Sequence, residues 1–126
     1  MIGSTRQVAV LAYAAPTDLR KGFDGLYALV RESLHRDPLS GDLYLFVNRS
    51  RKRAKVLLWD GTGLCIYAKR LEEGRFASLW QQPSATSVSL TMSELALFLE
   101  GSRYVGRFPL SPPAFVQKEI APLIPL

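Results

Sequence analysis

The chain is 126 residues long, 48% apolar and 21% charged, the balance of a soluble globular domain with a single core. Sixteen Lys and Arg against eleven Asp and Glu leave a net charge of +5, which favours a polyanionic partner such as nucleic acid. One cysteine, Cys65, and one histidine, His35, exclude an internal disulfide and leave few soft or imidazole ligands for zinc.

Residues 7–13 are apolar and rich in β-formers, which predicts a strand covered on both faces. With Ala12-Tyr13-Ala14 at its end the run superficially fits an export leader. It is short, however, and preceded only by the charge of Arg6, so a strand in a cytoplasmic protein is the expectation. No window approaches a membrane-spanning length. Pro16 closes the strand, and Thr17 and Asp18 offer caps to a helix whose apolar stripe is Leu26, Leu29, Val30 and Leu34. Gly22 and Gly25 weaken its front, moving the expected start close to Asp24, and the helix should end near His35.

Asp37-Pro38-Leu39-Ser40-Gly41 has the chemistry of a turn. Residues 43–47, 54–59 and 64–69 are strand-like. The polar connector 48–53 and the Asp60-Gly61-Thr62-Gly63 turn join them as an antiparallel meander. Residues 76–80 offer a fifth strand, whereas 81–89 are polar and patternless. Thr91-Met92-Ser93-Glu94 is a capping box opening a helix with Leu95, Phe98 and Leu99 on its stripe and Gly101 as its stop. Residues 104–108 and a Pro-rich tail follow, the tail's helical spacing (Val116, Ile120, Leu123, Ile124) being interrupted by Pro122. The pattern predicts an α+β domain over 1–111: a four- to five-stranded, mainly antiparallel sheet with two to three helices. An apolar tail at 112–126 completes the chain.

The densest charge is Arg49, Arg51, Lys52, Arg53 and Lys55, five cations within seven residues and no acid among them, at a predicted hairpin. A projecting basic tip can follow phosphates, with Arg adding bidentate contacts that Lys cannot make. A solvated turn that blunts a sheet edge is the competing reading. Lys69, Arg70 and Arg75 form a second group, partly offset by Glu72 and Glu73, and Arg20 and Lys21 precede the first helix. Around Gly22 and Gly25 a close backbone approach with Phe23 plugging the core is favoured over a phosphate site, which Asp24 would oppose. Tyr44, Phe46, Trp59 and Tyr67 are expected in the core rather than stacking bases, and Cys65 is expected as a buried, inert thiol.

Asp18, Asp24, Asp42 and Asp60 are the carboxylates that two-metal nuclease chemistry would draw on. Asp18 as a cap, Asp60 in a turn and Asp42 at a strand start have structural tasks instead. With no phosphate-cradling Gly loop and no nucleophile motif, neither catalysis nor a cofactor is expected.

The segment Thr17-Asp18-Leu19-Arg20-Lys21-Gly22-Phe23-Asp24-Gly25-Leu26 resembles the first signature of the TnpB-type accessory proteins of the "sixty-six" group of bacterial insertion sequences. Residues 45–57, through Asn48-Arg49-Ser50-Arg51-Lys52-Arg53, are similar to the second, which continues into Trp59-Asp60-Gly61-Thr62-Gly63-Leu64, Tyr67 and residues 69–76. The blocks run in order over residues 6–101. Two departures stand out: residues 77–83 are longer than the family's compact aromatic-Pro segment, and the tail is apolar where many members are basic. The resemblance implies a non-catalytic helper of transposition, encoded beside a larger transposase that carries the acidic triad. It would act at the nucleoid on element DNA, on the transposase, or on both. On this reading the phosphate contacts are Arg49, Arg51, Lys52, Arg53 and Lys55, with Lys69, Arg70, Arg75, Arg20 and Lys21. The alternative is a module that docks the transposase through the tail or a sheet edge without touching DNA.

Overall fold

The computed structural model describes residues 7–80 and 84–101, which form five strands and two helices. They are β1 (Val10–Tyr13), α1 (Phe23–Glu32), β2 (Leu43–Val47), β3 (Arg53–Trp59), β4 (Leu64–Arg70), β5 (Ser87–Leu90) and α2 (Met92–Leu99). The sheet order is β4-β3-β2-β1-β5. β1 and β2 are parallel and the other three pairings antiparallel, so the sheet is mixed, and α1 lies in the crossover that a parallel pair requires.

Alternation along the strands supplies two cores, one on each face. On one face Leu11, Tyr44, Phe46 and Leu57 pack with Leu26, Val30 and Leu34 from α1 and its C-terminal turn. On the other, Val10, Ala12, Leu45, Val47, Ala54, Val56 and Leu90 pack against Leu95 and Phe98 of α2. β1 is covered on both faces, as its unbroken apolar composition predicts.

The fifth strand is not where the apolar run 76–80 suggests. Those residues are irregular; Phe76, Ala77 and Leu79 enter the α2-side core as a loop, with Phe76 stacked on Phe98 at 5.1 Å between ring centroids. The fifth strand is β5, drawn from the segment expected to be patternless. It alternates Ser87 and Ser89 with the core-facing Val88 and Leu90 and pairs with β1. A strand of four residues, half of them serine, gives a weak signal that only its long-range partner resolves.

Two expectations for α1 also change. Asp18 does not cap it; Gly22 occupies the N-cap position without a side-chain bond, and Asp18 instead accepts the Arg20 backbone N–H at 3.0 Å. Phe23 is not a core plug but stands 49% exposed at the first helical position. The capping box of α2 forms in full, Thr91 Oγ1 accepting from Glu94 N at 3.0 Å and Glu94 Oε1 from Thr91 N at 2.8 Å. Gly101 ends that helix at φ 70°, and a Cβ there would lie 2.8 Å from Leu71.

Tyr44 and Phe46 are core residues, as expected, whereas Trp59 is half-buried and Tyr67 is half-exposed on the edge strand β4. Cys65 is half-buried rather than buried. Its thiol donates to Asp60 Oδ2 at 3.4 Å, and that neighbour raises its pKa, keeping it in the unreactive protonated form. Residues 104–108 and the tail at 112–126 lie outside the described residues. Among the described residues no helix is long and apolar enough to cross a membrane.

Phe98 is fully buried and stacked on Phe76, so Phe98→Ala should cost about 3–5 kcal/mol of unfolding free energy. A denaturation midpoint within a few tenths of a kcal/mol of the parent would contradict this account of the α2-side core.

Candidate nucleic-acid interface

The β2–β3 connection is built around one side chain. Asn48 Oδ1 accepts the backbone N–H groups of Lys52 and Arg53, both at 3.1 Å, while Asn48 N donates to Arg53 O at 3.1 Å. Arg51 takes a left-handed conformation at φ 61° to close the turn. An Asn acceptor inside a polar connector is the sequence signal for this arrangement.

The five cations of the connector do not act alike. Arg51 exchanges bonds with Phe76, its carbonyl accepting Phe76 N at 2.7 Å and its Nη1 donating to Phe76 O at 3.1 Å. Lys52 Nζ donates to Gly74 O at 3.2 Å, and its carbonyl accepts Leu71 N at 2.8 Å. Both residues fasten the hairpin to the loop after β4. Lys69, from the second predicted group, turns to the α2 side and donates to Leu99 O at 2.7 Å, placing a cation at the negative end of that helix. Arg75 lies exposed in the loop between Gly74 and the buried Phe76.

The remaining cations converge on the opposite side. Strand parity puts Arg53 and Lys55 on the α1 face with Leu57, and Arg70 on that face with Ile66. Arg53 and Arg70 are direct cross-strand partners, a like-charge pairing that costs stability in a sheet. Arg70 is partly compensated by Glu72 at 3.0 Å. Lys55 Nζ reaches the carbonyl of Lys21 at 3.0 Å, linking the strand to the segment before α1. Gly25 leaves room for the stem of Lys21, since a Cβ there would lie 2.9 Å from Lys21 Cβ.

Between the β1–α1 loop and the hairpin opens a depression of about 790 Å³. Pro16, Thr17 and Leu19 line one side, with Asp18 and Arg20; Asn48, Arg49, Ser50 and Arg53 line the other. Thr17 N donates to Val47 O at 2.9 Å, which fixes the distance between the two walls. Within it Arg20 pairs with Asp18 (Nη2 to Oδ2, 2.7 Å), although its side chain is 91% exposed. Hydrogen bonds from Arg20 hold the Asp18 carboxyl well below the usual carboxylate range, so that carboxylate stays charged at any neutral pH.

The other carboxylates are dispersed. Asp42 is buried and accepts Ala9 N at 3.0 Å, and Asp24 lies in the first turn of α1. Asp60 organises the β3–β4 turn, and its pKa is lowered to about 2 by the backbone N–H groups of Thr62 and Gly63 and by the Cys65 thiol. Among the described residues no three His, Cys, Asp or Glu side chains gather where they could hold a metal ion.

These features define a small α+β protein organised around a one-sided basic surface at the hairpin end of an open sheet. The chain belongs to the IS66 Orf2-like protein family, which it matches over residues 8–106, and it is therefore an insertion-sequence-associated protein. It is similar to two uncharacterized proteins of Sinorhizobium fredii (strain NBRC 101917 / NGR234). Identity to y4hO is 36% over 101 residues, 80% of this chain and 86% of the relative. Identity to y4jC is 31% over 118 residues, 92% and 99% of the two chains. No solved structure matches the chain.

Asn48→Ala removes the acceptor for two backbone donors at once and should destabilise the fold by about 1–2 kcal/mol, with Asn48→Asp recovering most of the loss. Chemical denaturation of the three proteins reads this directly, and equal stability of all three would remove Asn48 as the organiser of the hairpin.

Proposed function

We propose that this protein is a non-catalytic accessory factor of insertion-sequence transposition that holds element DNA by its phosphates. The groove between the β1–α1 loop and the β2–β3 hairpin is the contact surface. The supporting observation is the convergence of Arg20, Lys21, Arg49, Arg53, Lys55 and Arg70 around one face, where Asp18 and Glu72 pair with Arg20 and Arg70. A cross-strand Arg pair is costly in isolation and becomes favourable when a polyanion lies over it. The phosphate-binding set is thus narrower than the charge run suggests: Arg51, Lys52 and Lys69 serve the fold, and Arg20, Arg49 and Arg53 carry the contact. The larger transposase of the same element is the second partner in this reading.

The test is a titration of duplex DNA from the element's terminal repeat at several salt concentrations. Replacing Arg20, Arg49 and Arg53 together by Ala should weaken binding and flatten the log-log salt dependence by about one unit per residue. Unaltered binding in the triple variant would transfer the role to the transposase contact. Asp18→Asn supplies the opposite sign: it keeps an acceptor for Arg20 while removing the charge that neutralises it, so affinity should rise and the salt dependence steepen by about one unit. Weaker binding by Asp18→Asn would show that the Asp18–Arg20 pair shapes the groove instead of damping its charge.

A further inference from the structure

Phe23 is an apolar aromatic ring left half in water at the start of α1, directly after the basic segment Arg20-Lys21-Gly22. It continues the α1 stripe of Leu26 and Val30 back by one turn, yet it is 49% exposed where those two are fully buried. Two cations precede it closely in the chain, and a third is bonded to that segment. Lys21 lies two residues before it with its stem along the first turn of α1, and Lys55 Nζ is bonded to the Lys21 carbonyl. Arg20 lines the groove at the other end of the same segment. Ala68, the cross-strand partner of Lys55, is also exposed and carries only a methyl group. Exposing half of a phenyl ring at a helix start costs burial that a polar residue would not forgo.

An exposed aromatic face beside a basic groove is the arrangement that receives unpaired bases: the ring stacks on the base while cations of the groove hold the backbone. Bases in an intact duplex are stacked on one another and present only their edges, so such a ring gains little from them. We infer that Phe23 is a stacking platform for an unpaired base, and that the surface prefers DNA carrying single-stranded nucleotides next to a duplex over fully paired DNA. This rests on the proposed DNA contact and narrows it to a substrate class, a frayed or single-strand-tailed end.

The experiment compares the full chain on two DNAs of equal charge, a blunt duplex and a shorter duplex with a single-stranded thymidine tail. Wild type and the variants Phe23→Ala, Phe23→Leu and Phe23→Trp are titrated at matched salt. The wild-type protein should prefer the tailed DNA. Phe23→Ala and Phe23→Leu should lose on the order of tenfold on that DNA alone, Phe23→Trp should retain the preference, and the salt dependence should be unchanged throughout. Salt-sensitive binding without preference for the tail, or equal losses on both DNAs in Phe23→Ala, would overturn the stacking role while leaving the phosphate contact standing. Absence of binding to either DNA at low salt would overturn the DNA contact itself and this inference with it.

Discussion

The pair of hydrogen bonds by which the Arg51 carbonyl and guanidinium grip the Phe76 main chain holds two parts of the molecule at once. On one side it closes the β2–β3 hairpin with Arg51 in a left-handed conformation; on the other it delivers the Phe76 ring to Phe98 beneath α2. Beside it the Lys52 carbonyl accepts a further bond from Leu71 N. The loop after β4 therefore behaves as a strap across the hairpin turn, drawing its rigidity from the α2-side core. The basic groove inherits that rigidity although its own walls are exposed.

Pleat parity then decides which cations the strap leaves available. Because alternate residues of β3 face opposite ways, the pairing that buries Ala54 and Val56 under α2 delivers Arg53 and Lys55 to the other side. A shift by one residue would exchange the sets and place charge in the core. The hydrophobic pattern of β3 thus fixes the electrostatics of the surface, and no separate device is needed to sort the basic residues.

Much of this was legible in the sequence. The β2–β3–β4 meander follows from alternation and turn residues, and the capping box at Thr91 marks the start of α2. The position of α1 follows from the Leu26-to-Leu34 stripe. What escaped local reading depends on partners distant in sequence. Ser87–Leu90 becomes a strand because β1 lies beside it, and residues 76–80 fail to become one because Arg51 fixes the loop. The cluster at Arg49–Lys55 reads as one group by composition, yet three of its members bond backbone carbonyls of other segments. Phe23 was expected in the core because Gly22 and Gly25 flank it and permit close approach; Gly25 instead makes room for the Lys21 stem, and the ring stays half exposed.

The facing of Arg53 and Arg70 across two strands has a consequence for the protein's response to its medium. Mobile ions that screen this repulsion ease the closure of the β3–β4 pair, while the same ions weaken the hold of the surface on any polyanion. Ionic strength therefore pulls the firmness of the fold and the pull of its basic surface on polyanions in opposite directions. A bound polyanion also takes over the screening that salt would otherwise supply, so occupancy of the groove and firmness of the sheet beneath it rise together.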